Sequence, residues 1–404
     1  MVSRILLRIT MIVAVFCAAM TLVASSPAQV QEKVLYNFCS AAPCTDGSEP
    51  WAELVADASG NLYGTTAFGG ANDANEGGYG TVFELSPTQD GTWTETVLYS
   101  FTRGEDFPMA GLIFDKAGNL YGTTSGANGP GTVFRLAPPA HPGGTWTETT
   151  LWRFGGQNDG SLPRCHLALD ASGNLYGTTE NGGKYGSSGT VFVLQPPKSG
   201  DQWSEQVLYS FGLDPTIGIL PIGGVTLDAL GNVYGTTTLG GRGGGSGVIF
   251  ELIPQPNLPW KARVLYTFDT RSGLSSHASM IFDKSGNLYG TTWGPPSGVF
   301  RINPNTRHLD PLIFQGSSPG GVALVGGDLY GTTYYGGSGY GTVFRIHGGK
   351  EADLYKFCSQ PGCVDGGQPQ GTVIAVKGSL FGTAFQGGKN GKGVVFQISK
   401  AANQ

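Results

Sequence analysis

One motif recurs seven times along this chain, and its spacing limits the folds that the chain can adopt. It reads GNLYGTT at four places and GNVYGTT, GDLYGTT and GSLFGTA at the other three. Successive copies lie 58, 55, 58, 55, 41 and 51 residues apart, counted between their inner glycines. A unit of this length is too long for one coil of a solenoid and fits a four-stranded propeller blade. The inner glycines are Gly64, Gly122, Gly177, Gly235, Gly290, Gly331 and Gly382.

Each unit divides into four strand-like segments, and the second copy shows them most clearly. Residues 111–115 are almost wholly apolar, as in a strand buried on both faces, and residues 119–124 hold the motif. Residues 131–136 alternate in period two, and residues 147–154 begin polar and end aromatic. We name these strands A to D, from inner to outer. The sequence therefore predicts an all-β, seven-bladed β-propeller with four-stranded blades.

The turn between strands A and B reads Asp-x-x-Gly-Asn in five of the units. The aspartate can accept hydrogen bonds from the turn backbone, and the glycine supplies a positive φ. Calcium is the alternative partner, but one carboxylate per turn falls far short of the six to eight oxygens that it binds. We predict a structural role for Asp57, Asp115, Asp170, Asp228 and Asp283.

The two ends of the chain hold complementary pieces of one unit. The last unit contains strands A, B and C but no strand D, whereas residues 33–38 read as a strand D with no unit before it. We predict that residues 33–38 pair beside residues 393–398 and close the ring, which would remove two exposed sheet edges. Residues 29–404 then form a single propeller domain.

The first 28 residues read as a secretory signal peptide. Arg4 and Arg8 flank the start of an apolar stretch, and a small-x-small pattern ends at Ala28, where we expect cleavage. An uncleaved membrane anchor is the less favoured alternative, because a spanning helix needs about 20 apolar residues. The mature protein is expected to be secreted, either extracellular or periplasmic, and not bound to a membrane.

Five cysteines follow the leader, and four of them lie in two loops of equal spacing. Because export permits disulfides, we predict the pairs Cys39–Cys44 and Cys358–Cys363, with cross-pairing between the loops as the open alternative. Neither loop has the spacing or the nearby histidine of a zinc site. The remaining Cys165 is expected to be a small buried hydrophobic residue.

The repeated segments resemble the tandem repeats of bacterial extracellular proteins known as Gloeo/Verruco (GloVer) repeats. The resemblance lies in GNLYGTT, the following Gly-Gly, GTVFEL or GTVFRL, and VLYSF, and it covers nearly all of the mature chain. It implies export and a repeat architecture, and it implies no particular chemistry. Members of the family often end in a surface anchor. This sequence stops at Gln404 after the last unit, so we expect a freely secreted or periplasmic protein.

The residues that open the A strands are the candidates for a binding site. In a propeller the D–A and B–C loops share one face, and ligands commonly bind there over the central channel. Counting back from each turn aspartate places Trp51, Glu53, Arg164, His166 and His277 at the channel mouth. For acid–base chemistry the candidates would be Glu53 and the two histidines. An irregular polar rim without a ligand is the alternative.

Composition and motifs together favour binding over catalysis. The net charge is −5 and no basic run is present, which argues against nucleic-acid binding. We find no hydrolase elbow, zincin motif or cofactor fingerprint, and we assign no catalytic residue, metal or cofactor. The expected function is a monomeric, non-enzymatic module that binds a glycan, peptide or protein. The alternative is a lyase or a metal-dependent lactonase, which would need several inward carboxylates or histidines, and Glu53 is the one carboxylate found.

Overall fold

A computed structural model describes residues 30–72, 77–126, 129–141, 143–243, 245–269, 274–275, 278–294 and 297–400. The predicted signal peptide lies outside these residues, and so does the candidate site residue His277. The described residues contain no α-helix and form seven four-stranded antiparallel blades, which confirms the predicted fold class. Two short 3-10 turns cover Pro215–Ile217 and Pro361–Cys363.

The blades follow the A–B–C–D order that the repeat unit predicts, and blade seven takes its D strand from the start of the chain. The A strands are Val55–Ala56, Ile113–Phe114, Ala168–Leu169, Thr226–Leu227, Ile281–Phe282, the end of Leu309–Val325, and Ile374–Val376. The B strands are Leu62–Thr66, Leu120–Thr124, Leu175–Thr179, Val233–Thr236, Leu288–Trp293, Asp328–Tyr335 and Ser379–Ala384. The C strands are Thr81–Pro87, Thr132–Ala137, Thr190–Gln195, Val248–Gln255, Ser297–Ile302, Thr342–His347 and Val394–Lys400. The D strands are Trp93–Ser100, Thr147–Arg153, Ser204–Ser210, Leu258–Thr267, the start of Leu309–Val325, Lys350–Lys356 and Val30–Asn37. Short added pairings involve Gly160–Ser161 with Asn181–Gly182, and Leu274–Ser275 with the fifth B strand.

The motif glycine is required by an aromatic ring of the same blade. A Cβ on Gly64 would lie 2.6 Å from the ring of Phe83 on the neighbouring C strand, which is too close for any side chain. The other six motif glycines face a phenylalanine in the same way. The buried phenylalanines form the core between blades, where rings from adjacent blades pack edge to face, as Phe101 does on Phe134 at 5.1 Å. The repeated glycine therefore fixes how each blade packs.

The first threonine of the motif connects one blade to the next at five of the seven junctions. Thr65 of blade one donates a hydrogen bond to the carbonyl of Ala110 in blade two, at 3.2 Å. Thr383 of blade seven makes the same bond to Ala52 of blade one, at 2.7 Å. Both acceptor carbonyl groups lie three residues before the A strand of the neighbouring blade. The equivalent bonds of blades two, three and six run from Thr123 to Cys165, Thr178 to Gly223 and Thr332 to Gly371.

The turn aspartates have the structural role that the sequence predicts. Asp57 accepts hydrogen bonds from the backbone amides of Gly60 and Asn61 at 2.8 and 2.9 Å, and from the side chain of Asn61 at 2.8 Å. The hydroxyl of Tyr63, on the following B strand, donates to the same carboxylate at 3.3 Å. The Asp57 carboxylate therefore holds the turn to the start of strand B. The same asparagine bonds recur at Asp115, Asp170, Asp228 and Asp283.

One long strand joins blades five and six. Residues Leu309–Val325 pair first with Ser297–Ile302 as the D strand of blade five, and then with Asp328–Tyr335 as the A strand of blade six. This junction was not predicted from the sequence. The motif spacing of 41 residues across it is the shortest in the chain, which leaves no length for a separate loop between the two strands.

Both predicted disulfides are present and the cross-pairing is not. Cys39 bonds to Cys44, and Cys358 bonds to Cys363. Cys165 is buried and takes part in no disulfide, as expected. Its Sγ accepts a hydrogen bond from the backbone amide of Thr178 at 3.1 Å. Burial raises the pKa of the Cys165 thiol, so this side chain is poorly reactive.

Candidate functional site

A cavity of about 1350 Å³ runs along the inner strands of the propeller, and residues from all seven blades line it. Four of the five residues that the sequence places at the channel mouth, namely Trp51, Glu53, Arg164 and His166, belong to this lining. The positions found by counting back from the turn aspartates therefore do lie in the channel lining. The fifth, His277, lies outside the described residues.

Glu53 and His166 form an ion pair across the channel wall. His166 Nδ1 lies 2.7 Å from Glu53 Oε1, and about a quarter of each side chain is exposed. The two residues come from blades one and three, and blade two contributes Gly111 between them. A Cβ on Gly111 would lie 2.7 Å from Glu53 Oε1. The glycine therefore leaves the space through which the Glu53 side chain reaches His166.

Each partner of this pair stabilises the charge of the other. Burial by itself would raise the pKa of Glu53, but the charge and hydrogen bond of His166 outweigh it, and the pKa lies below its usual value. Burial by itself would lower the pKa of His166, but the charge of Glu53 and its hydrogen bond raise it above the usual value. The charged pair therefore persists over a wider pH range than either group would alone.

Arg164 faces the same cavity but pairs with a different carboxylate. Its Nη1 lies 3.3 Å from Glu180 Oε2, at the end of the B strand of the same blade. The sequence analysis did not single out Glu180. We call Glu53, Arg164 and His166 the polar wall of the mouth, which blades one and three supply.

A row of aromatic rings lies along the blades on the other side of the mouth. The ring centroids of Trp51 and Phe385 are 5.0 Å apart, those of Phe385 and Tyr334 are 5.8 Å apart and stacked, and those of Tyr334 and Trp293 are 6.0 Å apart. The Tyr335 ring meets Tyr334 edge to face at 4.5 Å. Phe385 is buried, whereas the other four rings line the cavity. We call Trp51, Trp293, Tyr334 and Tyr335 the aromatic wall.

Sequence reasoning identified Trp51 of this wall and missed the other three rings. The signal that could have found Trp293 and Tyr334 is the position directly after each motif, and Tyr335 is the next residue along the chain. In blades one to four this position holds a small or polar residue, and in blades five to seven it holds an aromatic one. The seven residues in order are Ala67, Ser125, Glu180, Thr238, Trp293, Tyr334 and Phe385.

Polar groups without a protein partner also lie at the cavity. The indole nitrogen of Trp51 and the hydroxyl of Ser279 are buried and make no hydrogen bond to protein. The side chains of Gln370 and Thr372 belong to the same lining. Because an unmade hydrogen bond at a buried group is costly, such groups favour a ligand or water that can bond to them.

The cavity holds few groups that could carry out acid–base or metal chemistry. Among the described residues that line it, Glu53 is the one carboxylate. Within the described ranges no cluster of three or more histidine, cysteine, aspartate or glutamate side chains could hold a metal ion. The arrangement is therefore one internally balanced ion pair that faces an aromatic wall.

The fold and the channel define the class of this protein, which is a β-propeller built from tandem repeats. A family model described as the Gloeobacter/Verrucomicrobia repeat matches residues 20–168 and 126–321, which is more than half of the chain. The chain therefore belongs to this repeat family, and the resemblance seen in the repeated segments is confirmed. A search of the curated proteins finds no match.

Two solved structures share the fold at low sequence identity. One is the extracellular domain of a hybrid two-component system from B. thetaiotaomicron, with 13% identity, a TM-score of 0.52, and coverage of 93% of this chain and 42% of that one. The other is puromycin hydrolase, with 13% identity, a TM-score of 0.57, and coverage of 84% of this chain and 50% of that one. This chain spans half or less of the length of each, and at this identity the likeness extends to the fold alone.

The features that bear on location agree with one another. Two disulfides are present, and one structural neighbour is an extracellular domain. In the part of the chain that the structure describes, no helix has the length and apolar character needed to cross a membrane. These features are compatible with a secreted protein.

Proposed function

We propose that the protein is a secreted, monomeric, non-enzymatic binding module that holds a glycan, peptide or protein segment in the mouth of its central channel. Secretion would follow cleavage of the signal peptide near Ala28. The observation that carries the proposal is the cavity of about 1350 Å³, in which an ion pair and aromatic rings from different blades converge. Ligand sites are typically concave and largely apolar, with a few fixed polar groups that orient the ligand.

The state of the Glu53–His166 pair favours binding over catalysis. A general base works best when its pKa lies near the operating pH. His166 holds the pKa of Glu53 below its usual range, so this carboxylate is a weak base. In this ion pair each side chain is held in place by the other. Its carboxylate can accept a hydrogen bond from a ligand, and its imidazole can donate one.

A propeller enzyme of the lyase or metal-dependent lactonase type is the second candidate. It draws support from the raised pKa of His166, because an imidazolium can donate a proton. Such an enzyme needs a second carboxylate or a metal beside the histidine. The net charge of −5 argues against a nucleic-acid ligand for either candidate.

The test is a ligand screen on the mature chain, residues 29–404, against glycan, peptide and metabolite libraries, read as a rise in melting temperature and confirmed by calorimetry. We expect a ligand whose binding is lost in the double variant Glu53→Gln, His166→Gln. The matched control is Glu105→Gln, Arg153→Gln, which removes an ion pair outside the channel and should leave binding intact. Turnover of a lactone or polysaccharide that disappears in the first double variant would instead establish the enzyme, and a screen with no ligand would contradict the proposal.

A further inference from the structure

The two walls of the channel mouth differ in what they offer a ligand. The aromatic wall presents flat ring surfaces from four positions in blades one, five and six. The polar wall presents a carboxylate, an imidazole and a guanidinium from blades one and three. A ligand that fits both walls must have apolar faces on one side and hydrogen-bonding groups on the other.

The charges of the polar wall are already balanced within the protein. Glu53 pairs with His166, and Arg164 pairs with Glu180. A charged ligand would have to compete with one of these partners and would pay for desolvation on both sides. The polar wall therefore favours an uncharged ligand. Such a ligand can form hydrogen bonds to those polar atoms of the two ion pairs that face the cavity.

The inner strands are poorly suited to a peptide bound as an added strand. Main-chain hydrogen bonds supply the affinity in that mode. Here the A strands are mostly two residues long. In addition, motif threonines already donate to the carbonyls of Ala110, Cys165, Gly223, Gly371 and Ala52. A ligand must therefore be recognised through side chains.

The spacing and size of the site favour a chain of flat units. The Tyr334 and Trp293 rings lie 6.0 Å apart, which is a ring-contact distance, so together they form one extended apolar surface. The cavity of about 1350 Å³ is larger than the roughly 300–1,000 Å³ of a typical small-molecule site. The unpartnered indole N–H of Trp51 and hydroxyl of Ser279 can bond to ligand hydroxyls inside it.

We propose that the channel mouth binds a neutral oligosaccharide, with sugar rings against the aromatic wall and hydroxyl groups toward the polar wall. The inference rests on the proposed binding function and names its ligand class. The apolar C–H faces of a pyranose pack on aromatic rings, and its hydroxyls match a carboxylate and a guanidinium that are fixed by their own ion pairs.

The experiment titrates the mature chain with neutral hexasaccharides of the glucan, mannan, xylan and galactan types, and measures Kd by calorimetry. Hexagalacturonate, the chitosan hexamer and a peptide library serve as charged and non-sugar comparators. We expect at least one neutral hexasaccharide to bind, and Trp293→Ala and Tyr335→Ala each to weaken it about tenfold. Tyr335 is 47% exposed, so its replacement should fold even if Trp293→Ala does not.

The matched control is Tyr340→Ala, which removes an exposed tyrosine of the same B–C loop that does not line the cavity. Its affinity should stay within about twofold of the parent protein, and Trp293→Phe should keep more affinity than Trp293→Ala. If the mouth binds a peptide or a charged sugar, and the aromatic variants bind it unchanged, the oligosaccharide inference is wrong while the binding function stands. If no probe binds, both are wrong.

Discussion

Two neighbouring junctions of the ring are built from the same contacts by different parts of the chain. Blade seven follows blade six through the loop that contains Cys358–Cys363. Blade one follows the strand Val30–Asn37, which belongs to blade seven, through the loop that contains Cys39–Cys44. We call the second junction the seam; it comprises residues 30–52 and 379–400.

The two disulfide loops are nearly identical in their contacts. Asp46 accepts hydrogen bonds from Tyr36 and from the backbone and hydroxyl of Ser40, at 2.7, 2.8 and 2.8 Å. The corresponding bonds at Asp365 come from Tyr355 and Ser359, at 2.8, 2.9 and 2.9 Å. The loop is therefore a local unit that forms in the same way whether or not the strand before it is joined to its own blade.

What differs at the seam is the connection of the outer strand. Val30 pairs with Lys400 and Lys33 with Gln397, so strand pairing and packing hold this strand to blade seven, and no turn joins it to the C strand. At the other junction a two-residue turn joins His347 to Lys350, which keeps the D strand beside its C strand. An outer strand that no turn joins to its C strand can separate from that strand more easily. We therefore infer that the contacts of the seam limit the stability of the whole ring.

The largest expected effect is that of removing the unjoined strand. Deletion of residues 29–38 removes the D strand of blade seven and the fully buried Phe38, and it exposes the edge of Val394–Lys400. We expect the loss of most of the roughly 5–15 kcal/mol by which a domain is stable. Urea unfolding followed by tryptophan fluorescence measures it, and an unchanged melting temperature would refute the role of the seam.

A second prediction compares matched phenylalanines at the two junctions. Phe38 packs edge to face on Phe83 at 5.0 Å, and Phe357 packs in the same way on Phe396 at 4.9 Å, with both side chains fully buried. Replacing either by alanine should cost about 3–5 kcal/mol. If the seam limits stability, Phe38→Ala should also speed unfolding more than Phe357→Ala does. Equal unfolding rates would mean that the two junctions open together.

A smaller effect is expected from the two disulfides. Each closes a six-residue loop and should add about 2 kcal/mol by restricting the unfolded chain. We expect the double variants Cys39→Ser, Cys44→Ser and Cys358→Ser, Cys363→Ser to lose similar free energies of unfolding, because the entropy of loop closure does not depend on the junction. A loss at the seam at least twice as large would show that the first disulfide also holds the native junction together.

The fold could be predicted well from the sequence because each repeat contains the residues that determine how its blade packs. GNLYGTT contains the glycine that faces the C-strand phenylalanine and the threonine that bonds to the next blade, so each copy specifies the same geometry. The continuous strand Leu309–Val325 could not be predicted in this way, since it forms where the repeat is shortened and the usual loop signal is missing.

The site was less predictable because it depends on how the copies differ. Trp51, Glu53, Arg164 and His166 follow from their register in the A strands, and all four line the channel. The pairing of Glu53 with His166 across Gly111 depends on distances between blades, which the spacing of the repeats does not contain. The other three rings of the aromatic wall, Trp293, Tyr334 and Tyr335, were missed because they follow the motif at the ends of B strands.

The smallest expected effect is a dependence on pH that differs between the two junctions. Next to the Cys39–Cys44 loop, on the D strand of blade one, burial first and the charge of Asp46 second raise the pKa of Glu95 to about 8. Next to the Cys358–Cys363 loop, on the strand Val30–Asn37, burial first and the charge of Asp365 second raise the pKa of Glu32 to about 7, although the Tyr355 hydroxyl lowers it somewhat. A carboxyl whose pKa is raised on folding stabilises the protein while it is protonated. That stability is complete below the ordinary value of 4.5 and is lost as the pH rises through the folded value.

Both glutamates are only half-buried, so solvent screening reduces the effect to about 1 kcal/mol for each between pH 5 and pH 8. We expect the free energy of unfolding to fall over this range, and Glu95→Gln and Glu32→Gln each to flatten part of the slope. Glu95→Gln should flatten it up to about pH 8, and Glu32→Gln only up to about pH 7. Urea unfolding at half-unit steps of pH measures both slopes. A slope that is unchanged in both variants would assign the pH dependence to groups away from the two junctions.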